Sequence, residues 1–555
     1  MTHFLTRRDF LWQTALAAPA LRSLVPWQEA AADLVIIGGG FGGCAAALGA
    51  LRRGLRVIMT EETNWIGGQL TQQAVPPDEN AWIETIGGTA SYRDLRVRMR
   101  DYYRAHYPLT EKARATARLN PGNCWVSRIG CEPKVALAVL QGLLAPYEAT
   151  GQLELLLEHV AESADVSGDR VRAISVRHLP SGRQRVLHAP VFADATELGE
   201  LLPLTGTEFV IGAESRRETE EPDAPESAQP DNVQSFTVCF AMDYRPGEDH
   251  AIDRPADYAH WRDLVITDPV HPAHRLLSFD DPDSQRIGFD PVARTGYWSY
   301  RRIIDHTLFT PGSYASDITI VNWAHHDYSF GSLLEGSPAE RAGHVARAAS
   351  LSRSLLYWLQ TEMPRKDGGI GWKGLRLRPD IVGTTDGMAK YPYIRESRRI
   401  RAEYTVRQQD VVAALRMQAT GRSRETVRAL DVRDSVGIGH YSMDLHRTTR
   451  GDRPQYGDTL PFQIPLGSLL PQRMENLLPA CKNLGVTHMT NGCFRLHPIE
   501  WNIGEAVGEL AAFAKARRVP LRAVRQKPAL LGEYQRQLEQ SGIRLAWPDP
   551  LPKPS

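Results

Sequence analysis

The clearest hydrophobic pattern in the chain lies between Asp33 and Glu61. Residues 34–37 are apolar without alternation, the texture of a strand buried on both faces of a parallel sheet. A break made almost wholly of glycine follows. Residues 44–51 are small and apolar and read as a helix, with Gly54 as its stop. Residues 55–60 are a second apolar run, which ends on Glu61. The pattern predicts strand, tight turn, helix, strand.

Farther along, residues 91–119 carry many arginines and predict a helix with a solvated face. Glu132-Pro133-Lys134 opens another helix, with proline in its first turn and Val135, Leu137, Leu140 and Leu144 on one face. Residues 160–166 and 171–177 alternate about Ser167-Gly168-Asp169 and predict a hairpin. An apolar run at 186–193 delivers Asp194 at its end. Residues 214–232 are rich in Glu, Asp, Pro and Ser and predict a mobile, solvated crossing. Strand-like segments at 236–242 and 318–323 and helices near 338–360 and 405–418 give the next region a different, aromatic-rich texture. After residue 430 glycine-rich segments return, with a small-residue helix at 503–513. The reading is an α/β protein: a Rossmann-like nucleotide-binding domain with a parallel sheet, split into 33–214 and 431–515, and an inserted mixed α+β substrate domain at 215–430. Residues 1–32 read as a leader and 516–555 as a C-terminal tail.

Composition narrows the partners. The chain has 555 residues, 42% hydrophobic and 23% charged, with a formal net charge of zero. No global field draws it to nucleic acid or acidic lipid, and no apolar run after the leader is long enough for a membrane span. The leader itself matters more. Thr6-Arg7-Arg8-Asp9-Phe10-Leu11, followed by an apolar stretch at 12–20, resembles a twin-arginine export signal. That predicts handling by the twin-arginine export machinery and a periplasmic or secreted protein. The route carries folded proteins, which suits one that loads a cofactor before export. The six cysteines include no C-x-x-C pair and no zinc or iron–sulfur spacing, so no metal is expected. One or two disulfides are compatible with export.

The glycine break carries the first chemistry. Gly38, Gly40 and Gly43 form G-x-G-x-x-G inside an intact strand–turn–helix unit, with Phe41 and Gly42 between them. Gly38 allows the tight turn, Gly40 lets backbone approach a pyrophosphate, and Gly43 lets helix and strand pack closely. The helix start offers free N–H groups to phosphate. Glu61, about twenty residues on, suits a ribose diol and argues against a 2′-phosphate, which leaves FAD or NAD. Gly67, Gly68 and Gln69 predict a second approach of backbone to cofactor. No second nucleotide unit is visible, so a two-dinucleotide reductase is disfavoured.

Several longer segments carry a resemblance. GGGFGG, WIGGQLT, CWVSRIGCEPKVAL, FADATELGELL, PYIRESRRI, DSVGIGHYSMDLH and NGCFRLHPIEWNIGEAVG run in order through residues 33–513. With them the chain resembles a bacterial group of FAD-dependent oxidoreductases, sometimes labelled xanthan lyase-related. The resemblance implies a glutathione-reductase-like FAD fold. It implies that the three glycines hold the pyrophosphate, that Glu61 holds the adenosine ribose, and that Gly67, Gly68 and Gln69 form the second contact loop. Asp194, Arg128, Asn483, Asn491 and Glu500 are the further cofactor-binding candidates it suggests. Lys482-Asn483 stands where many relatives have Gly-Asp.

The flavin would carry the redox step, with protein groups to orient substrate and move protons. His440, Tyr441, Asp444, His446, Arg495 and His497 are the candidates. His497 is the first expectation as general base, because it follows Arg495 in a segment expected at the flavin; His440 is the next. Arg495 would anchor an anionic substrate or the flavin, and Tyr441 stands beside His440. The expected activity is a dehydrogenase or oxidase acting on a small organic substrate. It would take a hydride from a C–H next to oxygen or nitrogen onto flavin N5, with oxygen, a quinone or a carrier protein as electron acceptor. A redox-neutral isomerase or lyase, or a non-catalytic flavin-binding protein, are the alternatives.

Overall fold

A computed structural model describes residues 28–267 and 272–554. Its organising layer is a five-stranded, all-parallel sheet. The strands are β1 (Leu34–Ile37), β2 (Val57–Glu61), β3 (Leu153–Leu157), β4 (Val191–Asp194) and β5 (Leu477–Pro479), in the order β5-β4-β1-β2-β3. Every residue of β1 and β2 is buried. That explains why their sequences run apolar rather than alternating. The Rossmann-like reading of the first segment therefore holds, and β5 shows that the C-terminal third completes the same sheet.

Helix α1 (Phe41–Arg52) packs on β1 and β2 of that sheet, and α2 (His497–Arg517) packs against α1. They touch backbone to backbone. A Cβ on Gly504 would lie 2.0 Å from the Gly42 carbonyl oxygen, and one on Gly508 2.1 Å from that of Ala46. Small residues at these positions are a packing requirement, and they fix the first half of α1 against the middle of α2. The sequence placed that second helix at 503–513; it starts earlier, with Pro498 in its first turn.

The predicted hairpin forms between His159–Ser167 and Arg170–His178. It belongs to a separate four-stranded sheet whose edge strand, Gln28–Ala31, pairs in parallel with Gln184–His188. Residues 28–31 of the expected leader are thus part of a folded sheet; residues 1–27, which hold the twin-arginine motif, lie outside the described residues.

A second layer, made by the middle of the chain, is the mixed α+β part. Its sheet has the order Arg302–Ile304, Ile318–Val321, Phe240–Tyr244, Leu375–Leu377 and is antiparallel. A long helix, Pro338–Thr361, packs beside it and starts on a capping box of Ser337 and Glu340. Trp261, Trp298, Trp323 and Leu355 are among its buried core residues.

Two expectations change. Residues 214–232 are not a free solvated crossing: Glu221, Ala224 and Asn232 are buried. Ala213 and Gln229 exchange backbone hydrogen bonds. The acids are drawn inward by buried partners, Glu214 by Arg399 at 3.0 Å and Glu221 by the Thr487 hydroxyl at 2.7 Å. The arginine-rich helix, Ala90–His106, ends earlier than expected and keeps the solvated face, with Val97 and Arg98 exposed. Arg96 and Arg100 are buried and reach Glu79 and Glu84. All six cysteines are buried and free. Among the described residues no helix is long and apolar enough to cross a membrane.

Candidate active site

The glycine turn is built as its residue types require. Gly38 has φ +99°, and a Cβ there would lie 2.4 Å from the Ala195 carbonyl. A Cβ on Gly43 would lie 2.2 Å from the Gly38 oxygen. Gly40 is the N-cap of α1. The second loop closes over the first: Gly67 (φ +107°) donates its N–H to the Gly39 oxygen at 2.8 Å. A Cβ on Gly68 would lie 2.8 Å from the Phe41 nitrogen. Phe41 packs behind the turn against Trp501, ring centroids 4.9 Å apart, and His497 at 5.7 Å.

Glu61 ends β2 beside this turn. Its carboxylate accepts from the Gly39 N–H at 3.0 Å, the Thr63 N–H at 2.8 Å and Gln72 Nε2 at 2.9 Å. Burial pushes it up to about 7. A slot between the glycine turn and the strand ends is lined by Gly38, Gly40, Glu61, Thr196, Glu197 and Tyr391.

Asp194 and Asn483 fasten the strand ends together. Asp194 accepts from the Thr196 N–H and hydroxyl and from the Leu201 N–H; burial raises it to about 6. Asn483 donates to the Asp194 carbonyl at 3.0 Å and accepts from the Cys481 N–H at 3.2 Å. Glu500 accepts from the Gly42 N–H at 3.0 Å and from Gln69 Nε2 at 2.6 Å. Arg128 is exposed and is not brought to the glycine turn; its backbone oxygen accepts from Arg100.

Arg495 lies at the other end, in a buried cluster of three arginine–aspartate pairs. Arg495 donates to Asp444 Oδ2 at 3.0 Å and to the Tyr393 hydroxyl at 2.7 Å. Arg395 donates to Asp327 Oδ1 at 2.9 Å, and Arg301 holds Asp78 with two bonds of 3.0 and 3.1 Å. His446 links two of the pairs: Nδ1 is 2.5 Å from Asp327 Oδ2 and Nε2 is 3.5 Å from Asp444 Oδ2. Although burial opposes it, the neighbouring Arg395 and His446 hold the Asp327 carboxyl far below the ordinary range. His446 and Arg495 help hold Asp444 down to about 2. These carboxylates are therefore charged at neutral pH.

The candidate histidines differ sharply. His497 is fully buried and has both ring nitrogens on backbone. Nδ1 accepts from the Asp78 N–H at 3.2 Å, and Nε2 lies 3.2 Å from the Val75 oxygen. Burial drops it to about 3, so it is neutral and has no nitrogen left for a substrate. His440 packs edge-on to Trp82, its buried Nδ1 has no partner, and burial lowers its pKa. Burial raises the Tyr441 phenol well above its usual value, and the negative Asp78 and Asp444 add to this.

Several buried polar atoms of this cluster have no partner in the protein: Nε of Arg301, Arg395 and Arg495, Asn322 Nδ2, Asp444 Oδ1 and Asn491 Oδ1. The Asn491 amide otherwise donates to the Arg395 carbonyl at 2.8 Å. Tyr456, directly opposite Asp444 on a two-stranded ribbon and therefore on the same face, is 73% exposed. Its phenol is pushed up chiefly by the Asp444 carboxylate. Sequence reasoning named Arg495, Asp444 and His446. It missed Arg301, Asp78, Arg395 and Asp327, which come from four separate segments. The signal available was PYIRESRRI, whose Arg395 is fixed by its second-layer neighbours.

The family described as FAD dependent oxidoreductase matches residues 33–538. No curated protein matches the chain. Solved structures that match include the quinol fumarate reductase subunit FrdA of E. coli, at 12% identity over 92% of this chain and 74% of that one, with a TM-score of 0.29. L-proline dehydrogenase of P. horikoshii matches at 16% identity over 34% of this chain and 24% of that one, TM-score 0.18. Thermovibrio ammonificans THI4 matches at 16% identity over 36% and 75%, TM-score 0.22. The chain spans less than half the length of several of these proteins, including the proline dehydrogenase and the halogenase CndH, at 24% and 45%. At such scores they fix neither substrate nor reaction.

FAD is the cofactor, and the residues fit it. The cradle admits no Cβ at Gly38 or Gly68 and is tight at Gly40, and Glu61 stands at the end of β2. Orphaned polar atoms, Gln69 Oε1, Glu197 Oε1 and Asn491 Oδ1, run from the phosphate end toward Arg495. Gly38 to Gly43 would hold the diphosphate and Glu61 the adenosine ribose, with Gln69 and Asn491 toward the flavin.

Proposed function

This chain belongs to the FAD-dependent oxidoreductase family, and we propose that it oxidises a small, polar organic substrate at a C–H next to oxygen or nitrogen. When bound, the flavin supplies the acceptor for the substrate's two electrons. Those electrons then leave to oxygen, a quinone or a carrier protein.

The observation that carries this reading is the set of buried, unpartnered polar atoms on Arg301, Arg395, Arg495, Asn322 and Asp444. Leaving such groups unpaired is costly. A polar ligand bound among them offsets that cost. Arg395 and Arg495 would anchor an anionic or hydroxylated group. His446, with Nδ1 held by Asp327, is the proton-handling group in place of His497, whose nitrogens brace the backbone at Val75 and Asp78. A cavity of about 230 Å³, lined in part by His446, His488, Asp452 and Gln455, adjoins this cluster at His446. The twin-arginine motif supports assembly of the holoprotein before export.

The test is an anaerobic screen of hydroxy acids, sugars and amino acids against the FAD-loaded protein. Persistent loss of oxidised-flavin absorbance supports the reading. That loss should disappear in Arg395→Met and Arg495→Met with FAD retained. Turnover with the flavin left oxidised and no electron acceptor present would assign a redox-neutral reaction instead.

A further inference from the structure

The phosphate end of the nucleotide site already contains charge. The start of a helix favours an anion. At the start of α1 the anion is a side chain: Glu500 Oε1 accepts from the Gly42 N–H at 3.0 Å. Glu197 approaches the same turn. Its Oε1 is the nearest atom to a Cβ built on Gly40 or Gly68, at 3.0 and 2.7 Å, and it is buried without a hydrogen-bond partner. Lys482 stands between the two acids. Its ammonium pairs with Glu197, lies 3.6 Å from Glu500 Oε2, and is 3.4 Å from Cys481 Sγ. Glu197, Cys481 and Glu500 are close enough to hold a metal ion, but the cation among them is this lysine.

All of these groups are buried. Those that bear on the acids come from every neighbouring element: Cys44 on α1, Glu61 at the end of β2, Glu197 after β4, Tyr391, Cys481 and Lys482 after β5, and His497 on α2. Cys44 and Cys481 have thiols pushed upward and stay neutral, as does the Tyr391 phenol; His497 is neutral as well. Lys482 is therefore the one full positive charge among them, against the Glu197 and Glu500 carboxylates. Burial already pushes Glu500 upward, with Lys482 opposing it.

A diphosphate brings two further negative charges to this turn. We propose that Lys482 is the cation the FAD diphosphate takes, transferred to it from Glu197 and Glu500, and that one proton enters the two acids as FAD binds. The inference rests on FAD as the cofactor. In it the proton comes from solvent and resides on one carboxyl oxygen of the pair, and no bond of the cofactor changes.

The experiment is calorimetric titration of FAD, and separately of ADP-ribose, into flavin-free protein between pH 6.5 and 9, in two buffers of different ionisation enthalpy. ADP-ribose carries the diphosphate without the flavin ring, so it isolates this end of the site. The expected result is uptake of about one proton per ligand and a dissociation constant that rises about tenfold per pH unit at the alkaline end. Glu197→Gln/Glu500→Gln should flatten that slope for both ligands. Lys482→Met should weaken binding by at least about tenfold, with Lys482→Arg restoring most of it. Where Lys482→Met does not fold, Lys482→Arg and the double glutamine variant still decide the matter. Tight binding with no proton uptake, or a slope that persists in the double variant, overturns the inference and leaves FAD as cofactor. Failure of FAD and ADP-ribose to bind at any pH would overturn the cofactor assignment with it.

Discussion

Gly42 and Gly504 meet with no space between their backbones: a Cβ on Gly504 would lie 2.0 Å from the Gly42 carbonyl oxygen. A neighbouring side chain can rotate away, but two packed helices cannot. Gly504→Ala should therefore reach or pass the upper end of ordinary overpacking, about 3 kcal/mol. The melting temperature of the flavin-free protein should fall, and FAD should be lost on purification. Gly532→Ala is the control. Its Cβ would have only Arg536 near, at 3.6 Å, so the helix Pro528–Gln540 should gain up to about 1 kcal/mol.

Asp327 holds His446 by Nδ1 at 2.5 Å. If His446 moves the substrate proton, His446→Ala should lower kcat by about 10²–10⁴-fold, with bound FAD unchanged. Asp327→Asn keeps the shape and changes the charge, so it should lower kcat less and displace its pH profile. An unaltered profile in Asp327→Asn would remove the positioning role.

His497 should behave otherwise. Its ring spans Val75 and Asp78 with two backbone hydrogen bonds and is neutral. His497→Ala leaves a buried N–H and a carbonyl unpaired, at about 1–3 kcal/mol for such groups. Chemical denaturation should record that loss. The pH dependence of kcat should keep its wild-type midpoint.

Glu61 gives a signed pH effect. Its folded value is about 7 against an ordinary 4.5. Between those values the folded chain holds a proton that the unfolded chain has released. Stability from this group is fully present below about 4.5 and is lost as pH rises through 7. At about 1.36 kcal/mol per pH unit the loss is roughly 3 kcal/mol. Melting of the flavin-free protein from pH 5 to 8 should show it, and Glu61→Gln should flatten that part of the curve.

The nucleotide half of this protein was legible because its pattern is local. Residues 34–61 hold a strand, turn, helix and strand in one continuous stretch with its glycine spacing intact, even though the backbone pressing on Gly38 and Gly42 comes from Ala195 and Ala480, far along the chain. The substrate end was not legible in the same way. Arg301, Asp327, Arg395 and Asp444 are scattered over more than a hundred residues and meet only after two layers pack. Nothing near His497 in sequence shows that the loop at Val75 and Asp78 will claim both its nitrogens. Likewise, the acids of residues 214–232 read as solvated because Arg399 and Thr487, which draw them inward, lie far along the chain.

The ribbon formed by Met443–Leu445 and Gln455–Gly457 presents Asp444 and Tyr456 on one face. The turn between its strands is largely exposed, and residues 450–454 are wholly on the surface. Such a turn tolerates insertion and substitution without disturbing the glycine-packed helices or the parallel sheet. Changes in this turn are thus separable from the packing that builds the nucleotide site. One half of the molecule is constrained by backbone contact, while the exposed turn beside Tyr456 carries no such constraint.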